Sequence, residues 1–366
     1  MRICFVDTST KLEHVRELET RARGGMVSSL FKVSDYLAHA GNDVTVLSDI
    51  KSEGRTKFGT LWLKMFEPLA HYSEGRTKFG TLWLNEPLAH YDVMVANRGA
   101  ADGFPMIDAS HRVLWTHDLP HAGFIPDPKI MSAFDCTVFM SRYAEGIWRR
   151  FYRTIGKSVF IPNGVDKTIF YPRQKFHNTM IFASAPNRGL DKLPLILDAV
   201  RSRLPDGWKY VLKAYSNLAQ LHPGEGEDTY DYTSIEESKV ELHKPVPQGE
   251  LANRLGQAGL MVLPTGYPEI CSNVVLQSLA SGTPVITTGG LGATPEWVRH
   301  GKNGLLTTYQ PHDYMIHTVQ MVRNLVQVLE DRKLHDKLIR GAARTKVHTW
   351  IEIGRKWERL LLKIGG

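Results

Sequence analysis

Residues 263–298 read LPTGYPEICSNVVLQSLASGTPVITTGGLGATPEWV, and the fold turns on this stretch. Leu260–Pro264 has strand character, Asn273–Ser281 spaces its apolar residues as a helix does, and Pro284–Thr287 is a second strand. The helix opens near Ser272, so the N–H groups of its first turn lack intrahelical acceptors and point at whatever lies in front. Those amides, across Ile270, Cys271, Ser272, Asn273 and Val274, together with the helix dipole, suit a diphosphate. Glu269 stands at the mouth, where a carboxylate can accept hydrogen bonds from sugar hydroxyls. Gln277, two turns on and on the same face, can hydrogen-bond a ribose.

Working outward, Thr179–Ser184 and Lys209–Ala214 add strands, and Leu193–Arg203 and Glu250–Ala258 add helices. The first half repeats the alternation: strands over Arg2–Val6, Asp43–Leu47, Asp92–Ala96, His111–Trp115 and Thr137–Met140, with a helix over Gly25–Ala40. Apolar strands alternating with helices indicate parallel sheets covered on both faces. Two such α/β units in series, joined near Pro162–Pro172, are expected from 366 residues, a length beyond one ordinary core. The expected boundaries are 1–168, 169–345 and a terminal helix over 346–366 within a helical, basic stretch from about Arg340.

The composition is that of an ordinary globular chain, with 42% hydrophobic and 23% charged residues. No apolar run is long enough for a transmembrane helix, and the N-terminus lacks the features of a secretory signal. Three scattered cysteines argue for a reducing compartment and against a disulfide framework. A cytoplasmic location follows, and the net charge of +7 favours anionic partners. Ser141–Lys157 gathers Arg142, Arg149, Arg150, Arg153 and Lys157 against one acid, Glu145, with Trp148, Phe151 and Tyr152 interleaved. Such a segment offers peripheral contact with an anionic membrane at its inner face. It reads equally as a core-facing aromatic stripe with a solvated rim. No recognised nucleic-acid motif accompanies it, so no nucleic-acid partner is expected.

One block is tandemly duplicated: residues 52–72 (SEGRTKFGTLWLKMFEPLAHY) recur as 73–91 (SEGRTKFGTLWLNEPLAHY). Two copies do not make a solenoid. The second runs directly into the strand at Asp92, so the first is expected to be the extruded one.

The 263–298 segment resembles glycosyltransferase family 4, whose signature is a Glu, seven residues, a second Glu, then a small-residue stretch and Gly-Thr-Pro-Val. Glu269 takes the first position, Ala280–Val285 the tail, and Pro295–Glu296 a later Pro-Glu element. Gln277 replaces the second Glu, and Ile270–Cys271 replaces the common Gly-Phe. Ile161–Phe170 (IPNGVDKTIF) is similar to the family's element at its domain junction.

The resemblance implies a GT-B fold, two Rossmann-like domains facing a central cleft, with the last helix returning to the first domain. It implies a retaining transferase moving a sugar from a UDP- or GDP-sugar to a glycan or lipid-linked acceptor. Catalytic roles fall to Glu269, to Arg188 and Lys192 on the diphosphate, and to His117 near the transferred sugar, with His121 the lesser choice. Gly24 and Gly25 match the family's glycine-rich loop. No Asp-x-Asp pair occurs, so neither a cofactor nor an obligatory metal is expected, and Gly-x-Gly-x-x-Gly does not follow the first strand. The competing readings are a silent nucleotide-sugar- or glycan-binding protein and a nucleotide-sugar epimerase on the same fold.

Overall fold

In the computed structural model, the described residues are 1–14, 25–64, 90–98, 107–120, 131–206, 208–216, 235, 240–308 and 314–365. The chain divides into two compact units: Met1–Gly164 with Trp350–Gly366, and Val165–Thr349. These limits compare with the 168 and 345 expected from sequence.

The first unit holds an eight-stranded sheet. Its strands are β1 (Arg2–His14), β2 (Asp43–Ser52), β3 (Gly54–Arg55), β4 (Leu61–Lys64), β5 (Tyr91–Asn97), β6 (Ala109–Trp115), β7 (Cys136–Phe139) and β8 (Ser158–Phe160). They lie in the order β3-β4-β2-β1-β5-β6-β7-β8. All the pairings are parallel except the short β3–β4 hairpin. Helix α1 (Gly25–His39) follows β1, and α2 (Arg142–Phe151) lies between β7 and β8.

The second unit holds six parallel strands: β9 (Phe176–Ala183), β10 (Val211–Tyr215), β11 (Val240–His243), β12 (Ala258–Leu263), β13 (Val285–Thr288) and β14 (Gly304–Thr307). Their order is β11-β10-β9-β12-β13-β14. Helices α3 (Leu193–Arg201), α4 (Gln248–Gln257), α5 (Asn273–Ala280), α6 (Tyr314–Glu330) and α7 (Arg332–Ala343) belong to it. Every residue of β12 and β13 is buried, which requires helices on both sheet faces.

This strand order has a functional consequence. The chain builds β9, β10 and β11 outward to one side, then returns to build β12, β13 and β14 on the other. The connections therefore leave in opposite directions at the carboxyl ends of β9 and β12, opening a crevice there. The same reversal occurs between β1 and β5 in the first unit.

The terminal helical stretch is broken. α7 ends at Ala343, and α8 (Trp350–Gly365) begins after a segment in which the Val165 N–H donates to the His348 carbonyl at 2.8 Å. α8 then packs on α1, β5 and β6, placing Trp357, fully buried, against Trp115 and Phe5.

The expectation for the duplicated block is overturned. The described part of the first copy is built into the sheet: β4 pairs with β2, and Trp62 is completely buried. The Thr56 and Thr60 hydroxyls both donate to the Asp35 carboxylate, the latter at 2.9 Å. Chain length supplies the physical reason. Returning from the edge strand to the start of β5 spans three strand spacings and about five residues of rise, a distance of about 22 Å. From Leu84, the second copy's counterpart of Leu63, seven residues remain to Tyr91, reaching at most about 25 Å when fully taut. That leaves nothing for passing around the intervening strands. From Leu63, 28 residues remain. The second copy, apart from His90 and Tyr91, lies outside the described residues.

Trp62→Ala is expected to cost about 3–5 kcal/mol through the cavity it leaves, read as a lowered urea midpoint.

Candidate active site

The crevice of the second unit is lined by the loops after β9 and β12. After β9 the chain makes two single-turn 3-10 helices, Pro186–Arg188 and Leu190–Lys192, hinged at Gly189. Gly189 has φ 101°, and a Cβ there would stand 2.4 Å from the Pro264 carbonyl oxygen. Only glycine satisfies both conditions. The hinge thus presses the basic turn directly against the end of β12, and this close approach brings Arg188 to Glu269.

The Arg188 Nε donates to Glu269 Oε1 at 2.8 Å, and its Nη1 donates to Asn187 Oδ1 at 2.7 Å. Its guanidinium lies 3.6 Å over the Tyr267 ring, a stacking geometry that arginine favours. Nη2 makes no hydrogen bond among the described residues. Burial pushes the Glu269 carboxyl above its ordinary range, while the charge and hydrogen bond of Arg188 pull it back. Lys192, on the second turn, is 9% exposed, and its Nζ lies 5.2 Å from the Tyr314 ring centroid. Burial lowers its pKa, against the opposing charge of Asp191.

The loop carrying Glu269 is braced from two sides. On one, Gly292 at φ 82° leaves no room for a Cβ, which would meet the Glu269 backbone N and O at 2.7 Å, and the Ala293 N–H donates to the Glu269 carbonyl at 2.6 Å. On the other, the Thr265 hydroxyl accepts from the Tyr267 N–H at 3.0 Å. The Thr265 carbonyl in turn accepts from the Thr288 hydroxyl at 2.6 Å, and Thr288 lies 2.9 Å from His317 Nε2. Thr288 spends its single proton on that carbonyl, so His317 is the donor in this pair. Burial, and next the charge of Lys192, lower His317 to about 4. A chain of hydrogen bonds thus runs from α6 to the loop on which Arg188 stacks.

Ile270, Cys271 and Ser272 are buried, and Ser272 takes the N-cap position of α5 without a side-chain capping bond. Asn273 and Val274 open α5, at the positive end of its dipole. Gln277 is turned to α4, its Nε2 donating to Gln248 Oε1 at 3.1 Å. Arg188 and Glu269 are thus in direct contact, and Lys192 and the opening of α5 belong to the same two segments that follow β9 and β12.

In the first unit, His117 follows the end of β6. Burial, then the Arg98 charge, lowers it to about 3, so the ring is neutral at ordinary pH, and its Nε2 has no hydrogen-bond partner among the described residues. The sequence reading missed two neighbours. Asn97 ends β5 wholly buried, and neither amide atom is hydrogen-bonded among the described residues. Arg98, at φ 62°, is a non-glycine residue in the left-handed region and pairs with Asp118. A polar residue closing an apolar strand, VMVAN, is the signal that was available. Gly25 opens α1, whereas Gly24 and His121 lie outside the described residues. Among the described residues, no three His, Cys, Asp or Glu side chains are grouped as metal ligands.

Residues 190–330 match the family Glycosyl transferases group 1. The chain is 32% identical over 119 residues to the D-inositol 3-phosphate glycosyltransferase of Nocardioides sp. (strain ATCC BAA-499 / JS614), a match covering 32% of this chain and 24% of that protein. Solved structures align along nearly the whole length. Sucrose-phosphate synthase from Thermosynechococcus elongatus superposes with TM-score 0.76 at 14% identity, covering 99% of this chain and 98% of that one. WaaG, a glycosyltransferase involved in lipopolysaccharide biosynthesis, gives 0.69 at 14%, covering 98% and 99%. Anabaena HepE, in complex with UDP and glucose, gives 0.65 at 14%, covering 99% and 100%. The fold is GT-B, as the sequence implied.

The low pKa of His317 has a measurable consequence. The unfolded chain protonates near its ordinary 6.5 and the folded chain only near 4, so stability present above pH 6.5 is lost as the pH falls through that window. His317→Gln should lessen this acid destabilisation by roughly 2–3 kcal/mol, read by urea unfolding at neutral pH and near pH 4.5.

Proposed function

We propose that this protein is a retaining glycosyltransferase that moves a sugar from a UDP- or GDP-sugar to a glycan or lipid-linked acceptor without an obligatory metal. The observation that carries this reading is the convergence of Arg188, Lys192, Glu269 and the first turn of α5 on one crevice at the β9/β12 reversal. A diphosphate seated there meets two cations and a helix dipole. Glu269, already held by Arg188, keeps oxygen lone pairs for sugar hydroxyls. The group 1 domain over residues 190–330 supports the assignment.

In this reaction the bond from the anomeric carbon to the phosphate oxygen breaks, and a bond from that carbon to the acceptor oxygen forms on the same face. The acceptor's proton passes to the departing phosphate. No enzymic nucleophile is required, and catalysis rests on stabilising the charge that gathers on the leaving nucleotide. His117 and Asn97, with unmade hydrogen bonds at strand ends of the first unit, suit sugar hydroxyls. Gln277, whose Nε2 is taken by Gln248, keeps its amide oxygen for a ribose hydroxyl as a neutral substitute for a carboxylate.

Thermal shifts against a series of nucleotide sugars should reveal one that raises the midpoint by mass action. With that donor, Glu269→Ala and Arg188→Ala should each lower turnover at least tenfold, about 1.4 kcal/mol or more. Turnover within twofold of wild type in both would remove the site assignment. Binding without turnover across many acceptors would favour the silent reading suggested by Gln277, and epimerised donor without a new glycoside would favour the epimerase.

EDTA should leave activity largely intact, whereas complete inhibition reversed by added metal would overturn metal independence.

A further inference from the structure

The surface of α2 and β8 plays no part in the chemistry above. α2 orders its aromatic residues into two sets. Trp148 and Tyr152 turn inward, each 4% exposed, and the Trp148 indole donates to the Asp118 carbonyl at 2.9 Å. Phe151 turns outward at 56% exposure, and on the neighbouring edge strand Phe160 is 38% exposed. The stripe expected from sequence is thus divided: the aromatic residues with polar tips pack into the unit, and two purely apolar rings face solvent.

Around them the charge is one-sided. Residues 141–160 carry five cations and one acid, a net +4 within a chain of +7. The single acid, Glu145, is already engaged by Arg149 at 3.0 Å and by the Ser158 hydroxyl at 2.6 Å. Arg149 also reaches the Ile155 carbonyl and the Ser158 hydroxyl, fastening the end of α2 to the start of β8 and fixing the surface. Arg142, Arg150, Arg153 and Lys157 are all exposed, and among the described residues Arg150, Arg153 and Lys157 form no ion pair.

We infer that this face docks on an anionic phospholipid surface. Four exposed cations supply the electrostatic attraction, and two exposed phenylalanine rings supply apolar area that gains by entering the headgroup boundary. A nucleic-acid backbone would satisfy the cations but offers the rings nothing apolar on its outer face. No described helix is long and apolar enough to cross a bilayer, so the association is peripheral. It does not depend on the transferase reading, because none of these residues belongs to the proposed site.

The test is co-sedimentation of the full chain with phosphatidylcholine vesicles made with and without phosphatidylglycerol. The expected result is pelleting with the anionic vesicles only, weakened by added salt. Replacing Arg150, Arg153 and Lys157 together by Gln should weaken binding by about fivefold per cation, roughly a hundredfold in all. Phe151→Ser should weaken it by about tenfold while keeping its salt dependence. Unchanged circular dichroism and thermal midpoint would show that these exposed substitutions leave the fold intact. Equal pelleting with neutral vesicles, wild-type binding by the triple variant, or stripping of bound protein from the vesicles by a stoichiometric single-stranded oligonucleotide would each overturn the proposal.

Discussion

A carboxylate taken out of water costs several kcal/mol unless a cation meets it, and Arg188 is the cation that meets Glu269. The pair sits where β9 and β12 part company, the one place in the second sheet where the connecting loops diverge. Burial raises the carboxyl's pKa and the guanidinium restrains it. The carboxylate therefore depends on the guanidinium for its charge state, and the crevice depends on both for its polarity. The remainder of the second unit serves to hold these two side chains at 2.8 Å.

Two glycines and one hydrogen-bonded chain do the holding. Gly189 lets the basic turn press on Pro264, and Gly292 lets the 289–293 loop lie against the backbone of Glu269. His317, Thr288 and Thr265 then tie the same loop to α6. Tyr267 spreads its ring beneath the guanidinium and limits its rotation. The first unit achieves polarity differently. Asn97 and His117 stand at strand ends with hydrogen bonds unmade, and Arg98 accepts a strained backbone conformation beside them.

Much of this was legible in the sequence, because the physics behind it is local. Apolar runs mark the strands, and Glu269 followed by a helix start marks the loop after β12. Arg188 and Lys192 were singled out by the family resemblance, since a basic turn after a strand reads by itself as a solvated one. What could not be read depends on residues far apart in the chain. The Gln277–Gln248 bond joins two helices, and the burial of Asn97 depends on how three strands and their covering helices pack. Trp148 and Phe151 differ by three positions, yet one is core and the other surface, because α2 ends just where Phe151 projects beyond it. The duplicated block misled for another reason: local adjacency to β5 favoured the second copy, whereas the length of the return path favours the first.

The route of the chain through the two units carries a last implication. The first unit is left at Gly164 and resumed only at Trp350, so its core lacks Trp357 until the final helix has been made. Until α8 is in place, the first unit exposes Trp115 and Phe5 on the ground that α8 will cover. The first unit therefore closes only after every residue of the second has been added to the chain. Until then the face of the first sheet that α8 will cover presents apolar surface, and nascent-chain chaperones have a defined stretch to guard.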